Sequence, residues 1–301
     1  MALQEQFPQR VEGWSRRRFL GTATVAAGAG AGAAACSGSG SSAPAAKVVP
    51  VTAQSSAASP SPSPTDTGSG SVDPELIAQR YSGLKPFPDA PTPPAVKPVD
   101  LNVAQPPVIS RIPTDQKIVF VTIDDGLEKE PAFIQMVKDF RVPLTLFLTD
   151  AIIKDDYGYF TKLLDTGMVT IQNHTLTHPD MPTISAARQL EEVGGQQEKL
   201  IEEYGTTPYL FRPPYGNYNA NTVSAVKETS GLKGLVVWKE SMQITDMQYQ
   251  GAHRLNPGDV ILSHFRGPAQ LKGETMIGMV TNLFKRIQAQ GFTIAKLTDY
   301  V

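Results

Sequence analysis

Carboxylates and imidazoles occur at a few points of the sequence where they could bind a metal ion together. Asp124 and Asp125 follow the apolar run Ile118–Ile123, and His174 and His178 are four residues apart. Two histidines and one carboxylate that leave a coordination position open form a catalytic zinc arrangement. If the two histidines lay on one helical turn, they would project from the same side and share an ion. The sequence therefore predicts a site for a divalent metal ion, with zinc as the expected ion.

The two adjacent carboxylates have separable roles in such a site. One must bind the metal, and the other must stay unligated to act as general base for a metal-bound water. A bound cation lowers the pKa of that water from 15.7 to about 7, so a nearby carboxylate can accept its proton at neutral pH. Arg212 could pair with the unligated carboxylate and fix its direction. His264, which follows another apolar run, could donate a proton to a leaving group.

Each of these residues also has an ordinary structural explanation. The segment 124–126 fits a turn with an aspartate helix cap, and the two histidines fit unrelated surface positions. Arg212 fits a surface salt bridge, and His264 fits a buried histidine with satisfied hydrogen bonds. Because the same residues all follow short apolar runs, their joint occurrence favours one shared site.

The elements that must position these side chains begin at Gln116, where apolar, β-branched runs alternate with helical patterns. The predicted strands are Ile118–Ile123, Leu144–Leu148, Met168–Ile171, Tyr209–Phe211, Gly234–Trp238, Val260–Leu262 and Phe292–Leu297. The predicted helices lie near 131–140, 157–165, 185–204, 219–229 and 274–289. The alternation indicates a parallel sheet, and seven runs indicate closure into a barrel with one strand fewer than usual. Chemistry in such folds collects at the carboxyl ends of the strands, where the polar residues above lie.

The first 36 residues have the features of an export signal. Ser15–Leu20 resembles a twin-arginine signal and opens an apolar stretch to Ala35; an ordinary secretory signal is the alternative. The stretch is Gly/Ala-rich and shorter than the about 20 apolar residues that a membrane span needs. Ala33–Cys36 resembles a bacterial lipobox, with Ala33 in place of the usual large aliphatic residue. We therefore expect lipid on Cys36, the one cysteine of the chain, although a chance cysteine beside a cleavage site remains the alternative.

The next two segments predict a tether. Residues 37–75 are rich in Ser, Ala, Pro and Gly, a composition that favours disorder. Residues 76–115 form a Pro-rich segment that we expect to be extended and to lie partly along the domain surface. The catalytic domain is expected over 116–301.

Four motifs in residues 116–301 resemble those of the polysaccharide deacetylases, also called the NodB homology domain or carbohydrate esterase family four. Val121–Gly126 is similar to the first motif of the family, Asn173–Pro179 to the second, Phe211–Gly216 to the third and Ile261–His264 to the fifth. The resemblance implies a distorted barrel of seven β/α units.

The resemblance also implies a role for each site residue. The implied metal ligands are Asp125, His174 and His178. Asp124 is implied as general base, His264 as general acid, and Arg212 as the residue that holds Asp124. The backbone N–H of Tyr215 would stabilise the tetrahedral oxyanion together with the metal. The implied pocket for the acetyl methyl is lined by Trp238, Leu262, Pro213 and Pro214; Trp238 also fits a core aromatic residue.

The sequence departs from the family at the fourth motif, where a carboxylate near the tryptophan usually orients the acid histidine. Here Glu240 comes two residues after Trp238, and strand alternation could point it away from the site. Asp246 is the other candidate. Without such a carboxylate, the pKa and tautomer of His264 would be less controlled.

Three functions remain open at this stage. The first is N-deacetylation of peptidoglycan or a chitin-like glycan at the outer face of the bacterial cytoplasmic membrane. The second is removal of O-acetyl groups from a xylan-like polymer, which needs less help from the acid. The third is a glycan-binding lipoprotein with a degenerate site. The formal net charge of −2 gives no basic surplus for nucleic acid, and the sequence does not predict an oligomeric state.

Overall fold

The computed structural model describes residues 73–301. The predicted export signal, Cys36 and nearly all of the predicted tether lie outside this range. Among the described residues, no helix combines the length and apolar character that crossing a membrane requires.

A curled, mostly parallel sheet forms the centre of the fold. Its strands are β1 (Val108–Ile109), β2 (Ile118–Asp125), β3 (Leu144–Leu148), β4 (Val169–Asn173), β5 (Leu210–Phe211), β6 (Gly234–Val236), β7 (Glu240–Met242), β8 (Met247–Tyr249), β9 (Val260–His264) and β10 (Thr293–Ile294). The spatial order is β1-β6-β5-β4-β3-β2-β9-β7-β8, and β10 pairs with β2. Beyond β1, Arg111 forms a bridge with Asp259, just before β9. The two sides of the curl therefore meet, and the predicted distorted (β/α)7 barrel is confirmed.

Helices follow the strands and cover the sheet. They are α1 (Pro74–Arg80), α2 (Pro131–Phe140), α3 (Asp150–Ile153), α4 (Tyr157–Leu164), α5 (Ala186–Tyr204), α6 (Ala220–Glu228) and α7 (Met276–Ala289). The cap residues explain their bounds. The side chain of Ser185 caps the start of α5, and Gly205 ends it in the left-handed conformation. The five predicted helices differ from the observed ones by at most two residues at either end.

Side-chain alternation on β2 separates the two layers of the core. Val119, Val121 and Ile123 pack towards the helices, whereas Ile118 and Phe120 pack inside the barrel. Successive side chains of a strand point to opposite faces. Thr122 and Asp124 therefore continue the inward row at the carboxyl end of β2, where the row becomes polar.

The structure contains elements that the sequence patterns did not predict. The segment expected to be extended over 76–115 contains most of α1 and all of β1. The side chain of Asp73 caps α1 by accepting from the N–H of Glu75. Ile77 and Tyr81 are buried in the core, so this segment is part of the domain. The antiparallel hairpin of β7 and β8 was also not predicted, because its strands are short and carry polar residues.

Candidate metal centre and surrounding site

Strand register brings the predicted site residues to one end of the barrel. Asp124 on β2 is the partner of His264 on β9. On the other side of β2, Asp125 is level with Leu148, which is level with Asn173. Asn173 is in turn level with Phe211. The residues that follow β4 and β5, His174 and Arg212, therefore lie beside the paired aspartates.

Asp125, His174 and His178 form the candidate metal centre. Oδ1 of Asp125 lies 3.3 Å from Nε2 of His178 and 3.6 Å from Nε2 of His174. One possible ligand atom from each residue lies within 4.8 Å of the others. This set of one carboxylate and two imidazoles fits a divalent cation such as zinc.

Two further observations support a cation at this point. Oδ1 of Asp125 is buried and accepts no hydrogen bond from the described residues, which is costly for a charged oxygen. Nδ1 of His174 lies 2.7 Å from the carbonyl oxygen of Arg212. Since a carbonyl oxygen can only accept, Nδ1 carries a proton, which leaves Nε2, the nitrogen that faces Asp125, as the atom that can bind a cation once it is deprotonated.

The electrostatic environment keeps Asp125 ionised. Burial by itself would raise the pKa of this carboxyl group. The adjacent imidazoles of His174 and His178 outweigh burial and hold the pKa of Asp125 far below its ordinary range. The site therefore presents a carboxylate at any pH near neutrality, which is the form that binds a cation.

The two histidines do not lie on a helical turn, the arrangement in which their spacing would bring them together. Residues 174–180 form a loop, in which Thr175 and His178 have φ values of 72° and 61°. The ring centres of His174 and His178 are nevertheless 5.0 Å apart. The left-handed conformation is strained for these residues and persists only where the surroundings hold it.

Hydrogen bonds from buried polar residues hold this loop in place. Oδ1 of Asn173 accepts from the N–H of Thr175 at 3.1 Å. Glu192, a fully buried residue of α5, accepts from both the N–H and the hydroxyl of Thr177. A Cβ on Gly195 would lie 2.4 Å from Cδ1 of Leu176, so a larger residue there would displace the Leu176 side chain from its packing on α5.

Arg212 and Asp124 form a buried ion pair beside the metal centre. Nη1 of Arg212, a fully buried residue, donates to Oδ1 of Asp124 at 2.7 Å and to Oγ1 of Thr122 at 2.8 Å. The guanidinium also lies 4.2 Å from the ring centre of Phe147. The other carboxylate oxygen of Asp124 is 3.7 Å from Nε2 of His174. Thr122 was not predicted as a site residue, although its alternation with Asp124 would have indicated it.

His264 faces the site from β9 without a carboxylate partner. Burial lowers the pKa of His264 to about 4, and the positive charge of Arg266 acts in the same direction. Among residues 73–301, the ion pairs that involve an imidazole are those of His174 and His178 with the two aspartates. His264 is therefore uncharged at neutral pH, and its role as an acid stays a prediction.

Neither candidate for the fourth-motif carboxylate reaches His264. Glu240 is level with Ile261 on β9, whose side chain packs towards the helices, and Glu240 accepts a hydrogen bond from the N–H of Gln250. Asp246 is exposed and pairs with Arg286 at 2.9 Å. Strand alternation thus turns Glu240 away from the barrel interior.

The buried position of Glu240 predicts a pH dependence of stability. Burial, followed by the charge of Asp259, raises the pKa of Glu240 to about 7 from its ordinary 4.5. The folded protein binds this proton more tightly than the unfolded chain does. The contribution of Glu240 therefore favours folding below about pH 4.5 and is lost as the pH rises through about 7.

We expect Glu240→Gln to remove most of this dependence, since the amide imitates the neutral acid. Urea unfolding at about pH 5 and about pH 8 should show a smaller loss of unfolding free energy in the variant than in the parent protein. Asp246→Asn changes an exposed carboxylate and should keep the parent dependence. Equal pH dependence in Glu240→Gln and the parent would show that Glu240 is ionised in the folded state.

Tyr215 lies in the tight turn Pro214–Gly216, next to the metal centre. Its φ is 60°, and its ring stands edge-on to His178 with ring centres 4.8 Å apart. The hydrogen bonds of the turn run from Gly216 to Pro213 and from Asn217 to Pro214. They do not use the N–H of Tyr215, the group that was predicted to stabilise an oxyanion.

Three of the predicted pocket residues lie in or against this turn, and the fourth, Leu262, lies on β9. Pro213 and Pro214 are buried, and Leu262 is level with Thr122, so it faces the barrel interior. Trp238 is half-buried, and a Cβ on Gly216 would lie 2.8 Å from Cη2 of its indole. The indole therefore packs directly on the turn that carries Tyr215. Of the four histidines, His253 lies elsewhere, near Tyr249.

Sequence comparisons identify relatives of this chain. The profile of the polysaccharide deacetylase family matches residues 111–233. An uncharacterised protein of Streptomyces coelicolor is 35% identical over 198 residues, which cover 65% of this chain and 78% of that protein. The peptidoglycan-N-acetylmuramic acid deacetylase of Bacillus subtilis is 28% identical over 200 residues, which cover 62% of this chain and 72% of that protein.

A structural comparison supports the same fold. The crystal structure of a wild-type pseudoenzyme of carbohydrate esterase family four from Bacillus anthracis superposes with a TM-score of 0.54 at 19% identity. The match covers 65% of this chain and 69% of that one. At this level of identity the likeness extends to the fold alone.

Proposed function

This chain belongs to the polysaccharide deacetylase family, and we propose that it removes N-acetyl groups from an amino-sugar polysaccharide with a bound divalent cation. The observation that carries the proposal is the buried Oδ1 of Asp125. It accepts no hydrogen bond among the described residues and lies within 3.6 Å of Nε2 of both His174 and His178. A cation at this point would satisfy all three atoms.

The cation, when bound, supplies a water whose pKa falls to about 7 and an electrophile for the acetyl carbonyl. Asp124 is the general base in this proposal. Its Oδ1 is held by Arg212, and its Oδ2 points towards the metal centre, 3.7 Å from Nε2 of His174. Asp125 contacts both imidazoles whereas Asp124 contacts one, which supports Asp125 as the ligand and Asp124 as the base.

The remaining residues of the site serve the later steps. The backbone N–H of Tyr215 donates to the oxyanion of the tetrahedral intermediate, a contribution that is about 10²–10³-fold for one such donor in other hydrolases. His264, the neighbour of Asp124 on β9, acts as general acid by passing to the leaving nitrogen the proton that Asp124 takes from the water. Leu262 and Trp238 exclude water around the acetyl methyl.

The relatives support an amino-sugar substrate. The name of the Bacillus subtilis relative specifies N-acetylmuramic acid in peptidoglycan, and we propose a glycan of this type for this chain. Zinc is the proposed cofactor, because one carboxylate and two imidazoles with an open position are typical of catalytic zinc sites. Other divalent ions also accept this ligand set.

One observation favours a second candidate function, the removal of O-acetyl groups from a polysaccharide. His264 has no carboxylate within ion-pair distance among the described residues, and burial lowers its pKa to about 4. An alkoxide leaves more readily than an amide nitrogen does, so ester cleavage depends less on a strong acid. The N-acetyl function is preferred because the Bacillus subtilis relative carries that activity in its name.

We also propose that the protein is exported and anchored at the outer face of the membrane. The Ser15–Leu20 signal and the Ala33–Cys36 string support this proposal. Lipid on Cys36 would leave residues 37–72 to place the catalytic domain at a distance from the bilayer. A mass increase on Cys36 in membrane extracts, lost in Cys36→Ala, tests the anchor.

Asp125→Ala should abolish metal binding and activity together. The substitution removes the one carboxylate that contacts both imidazoles, and we expect bound metal to fall below about one tenth of the parent content under equal dialysis. Metal analysis of both proteins measures this result. Asp150→Ala, at another carboxylate that follows a strand, is the matched control and should retain the metal.

Acetate release tests the reaction itself. The parent protein should release acetate from peptidoglycan or from N-acetylglucosamine oligomers, and added zinc should restore activity after chelation. Release from acetylated xylan alone would favour the esterase function. A protein that binds metal and glycan but releases no acetate from any of the three would be a binding protein.

A further inference from the structure

Arg266 differs from the other arginines of residues 73–301. It is half-buried, and within that range it has neither a hydrogen bond nor a carboxylate within 4.0 Å. Five arginines pair with carboxylates: Arg80, Arg111, Arg188, Arg212 and Arg286. The other two, Arg141 and Arg254, are exposed to water. A guanidinium that loses part of its hydration needs an acceptor to replace it, and the described chain provides none for Arg266.

The position of Arg266 is set by the strand that carries His264. The N–H of Phe265 donates to the carbonyl of Asp124 at 3.1 Å, so the pairing of β9 with β2 continues past His264. Phe265 is buried in the layer between sheet and helices. Since side chains alternate, Arg266 is on the side of Leu262 and His264, at the mouth of the barrel.

The charge of Arg266 acts on a residue of the candidate site. The positive charge of Arg266 contributes to lowering the pKa of His264, in agreement with the placement of both side chains on one side of the strand. The carboxylate of Glu128 lies against the backbone of Gly267 and is still outside ion-pair distance of Arg266. Among the described residues the guanidinium of Arg266 is therefore a cation without an ion-pair partner, available to an anion from solution.

We propose that Arg266 binds a carboxylate on the substrate sugar, so that the enzyme prefers N-acetylated amino sugars with an acidic substituent. The planar guanidinium can donate two parallel hydrogen bonds to a carboxylate. His264 faces the nitrogen on C2 of the sugar in the proposed reaction, and Arg266 is on the same side. Arg266 is therefore suited to bind a carboxylate on the neighbouring C3, such as that of the lactyl ether of N-acetylmuramic acid. This inference rests on the proposed function.

The test compares one glycan in two charge states. Peptidoglycan strands freed of their peptides carry the lactyl carboxylate, and conversion to the methylamide removes the charge while the acetyl group stays. The parent protein should show a kcat/KM about tenfold or more higher on the carboxylate form, as expected for a charge-assisted hydrogen bond. In Arg266→Ala the ratio should fall to about one. A loss shared by both substrates reports on His264 and cancels in the ratio.

Two further variants sharpen the result. Arg266→Lys keeps the charge without the planar fork and should retain part of the preference, while Arg254→Ala, at an exposed arginine, should retain all of it. A parent protein without preference, or an Arg266→Ala variant that keeps it, would overturn the proposal.

A binding measurement separates this inference from the proposed function. If the parent protein releases no acetate from either form, the deacetylase function fails. Binding of N-acetylmuramic acid and its methylamide to the Asp124→Asn protein, by titration calorimetry, then decides the inference alone. We expect binding of the acid to weaken about tenfold or more when Arg266→Ala is added, with no change for the methylamide. Equal weakening for both ligands would refute recognition of the carboxylate.

Discussion

Asp124→Asn should lose nearly all activity and keep its metal. The amide can still accept a hydrogen bond from Arg212, whose Nη1 lies 2.7 Å from Oδ1 of Asp124, but it cannot take a proton from water. General-base catalysis contributes about 10²–10⁴-fold, so kcat should fall by about that factor. Metal content should equal that of the parent protein, because Asp125, His174 and His178 are unchanged.

The measurement pairs acetate release with metal analysis on the same preparation. Asp125→Ala is the contrasting variant, since it should lose metal as well as activity. If Asp124→Asn instead lost its metal and Asp125→Ala kept it, the roles of the two aspartates would be reversed. Full activity in Asp124→Asn would mean that another group removes the proton.

Much of the fold could be predicted because the strands of the barrel are apolar on both faces. Alternate side chains of the run Ile118–Ile123 pack in two core layers: Val121 packs towards the helices and Phe120 packs inside the barrel. Such runs stand out against the polar segments that follow them. The hairpin of β7 and β8 has no such apolar run, because it is antiparallel and β8 is partly exposed. Its sequence therefore resembles that of a polar loop.

Helix α1 was missed for a different reason. The Pro-rich composition of residues 76–115 conceals a short helix whose start carries a recognisable signal, an aspartate followed by proline at Asp73-Pro74. It is held by Ile77 and Tyr81, which are buried in the core; Tyr81 contacts Phe140 and Asp139, far along the chain. The local spacing of apolar residues does not reveal contacts between residues that are far apart in the sequence.

The membership of the site was predictable, but its geometry was not. Polar residues after apolar runs identified Asp124, His174, Arg212 and His264, since the carboxyl ends of parallel strands meet at one edge. The spacing of His174 and His178 would fit a helical turn, but the backbone there is a loop. The left-handed conformations of Thr175 and His178 depend on hydrogen bonds to Asn173 and Glu192, which only the folded chain brings together.

For Arg266, the position was predictable from the sequence but the functional significance was not. Alternation from His264 would place it on the site side of the strand, yet an arginine near a strand end is common on protein surfaces. Its distinguishing feature is that it is half-buried although no carboxylate of residues 73–301 comes within 4.0 Å, whereas Arg111 and Arg212 both have one. The lack of a carboxylate partner for an arginine can be recognised only from the folded structure, not from the sequence.

Arg212→Met should destabilise the protein strongly, by about 3–5 kcal/mol, because it leaves the buried carboxylate of Asp124 without its partner. Asp124 is 2% exposed, so water cannot replace the guanidinium. The carbonyl of Val236 and the hydroxyl of Thr122 also lose their donors. Methionine fills much of the arginine volume, so the loss reports the charge more than a cavity. Urea unfolding at neutral pH measures it.

The double variant Arg212→Met with Asp124→Asn distinguishes an uncompensated charge from lost packing. Removing the charge of Asp124 should restore a large part of the lost stability, since replacing both partners of a buried ion pair costs far less than removing one. Arg212→Lys should be intermediate, because an ammonium keeps the charge but cannot contact Asp124 and Thr122 while lying over the ring of Phe147. If the double variant were as unstable as Arg212→Met alone, packing against Phe147 rather than the ion pair would hold this side of the site together. Activity should be low in Arg212→Met, where Asp124 loses the partner that holds its Oδ1, and low in the double variant, where the proposed general base is absent.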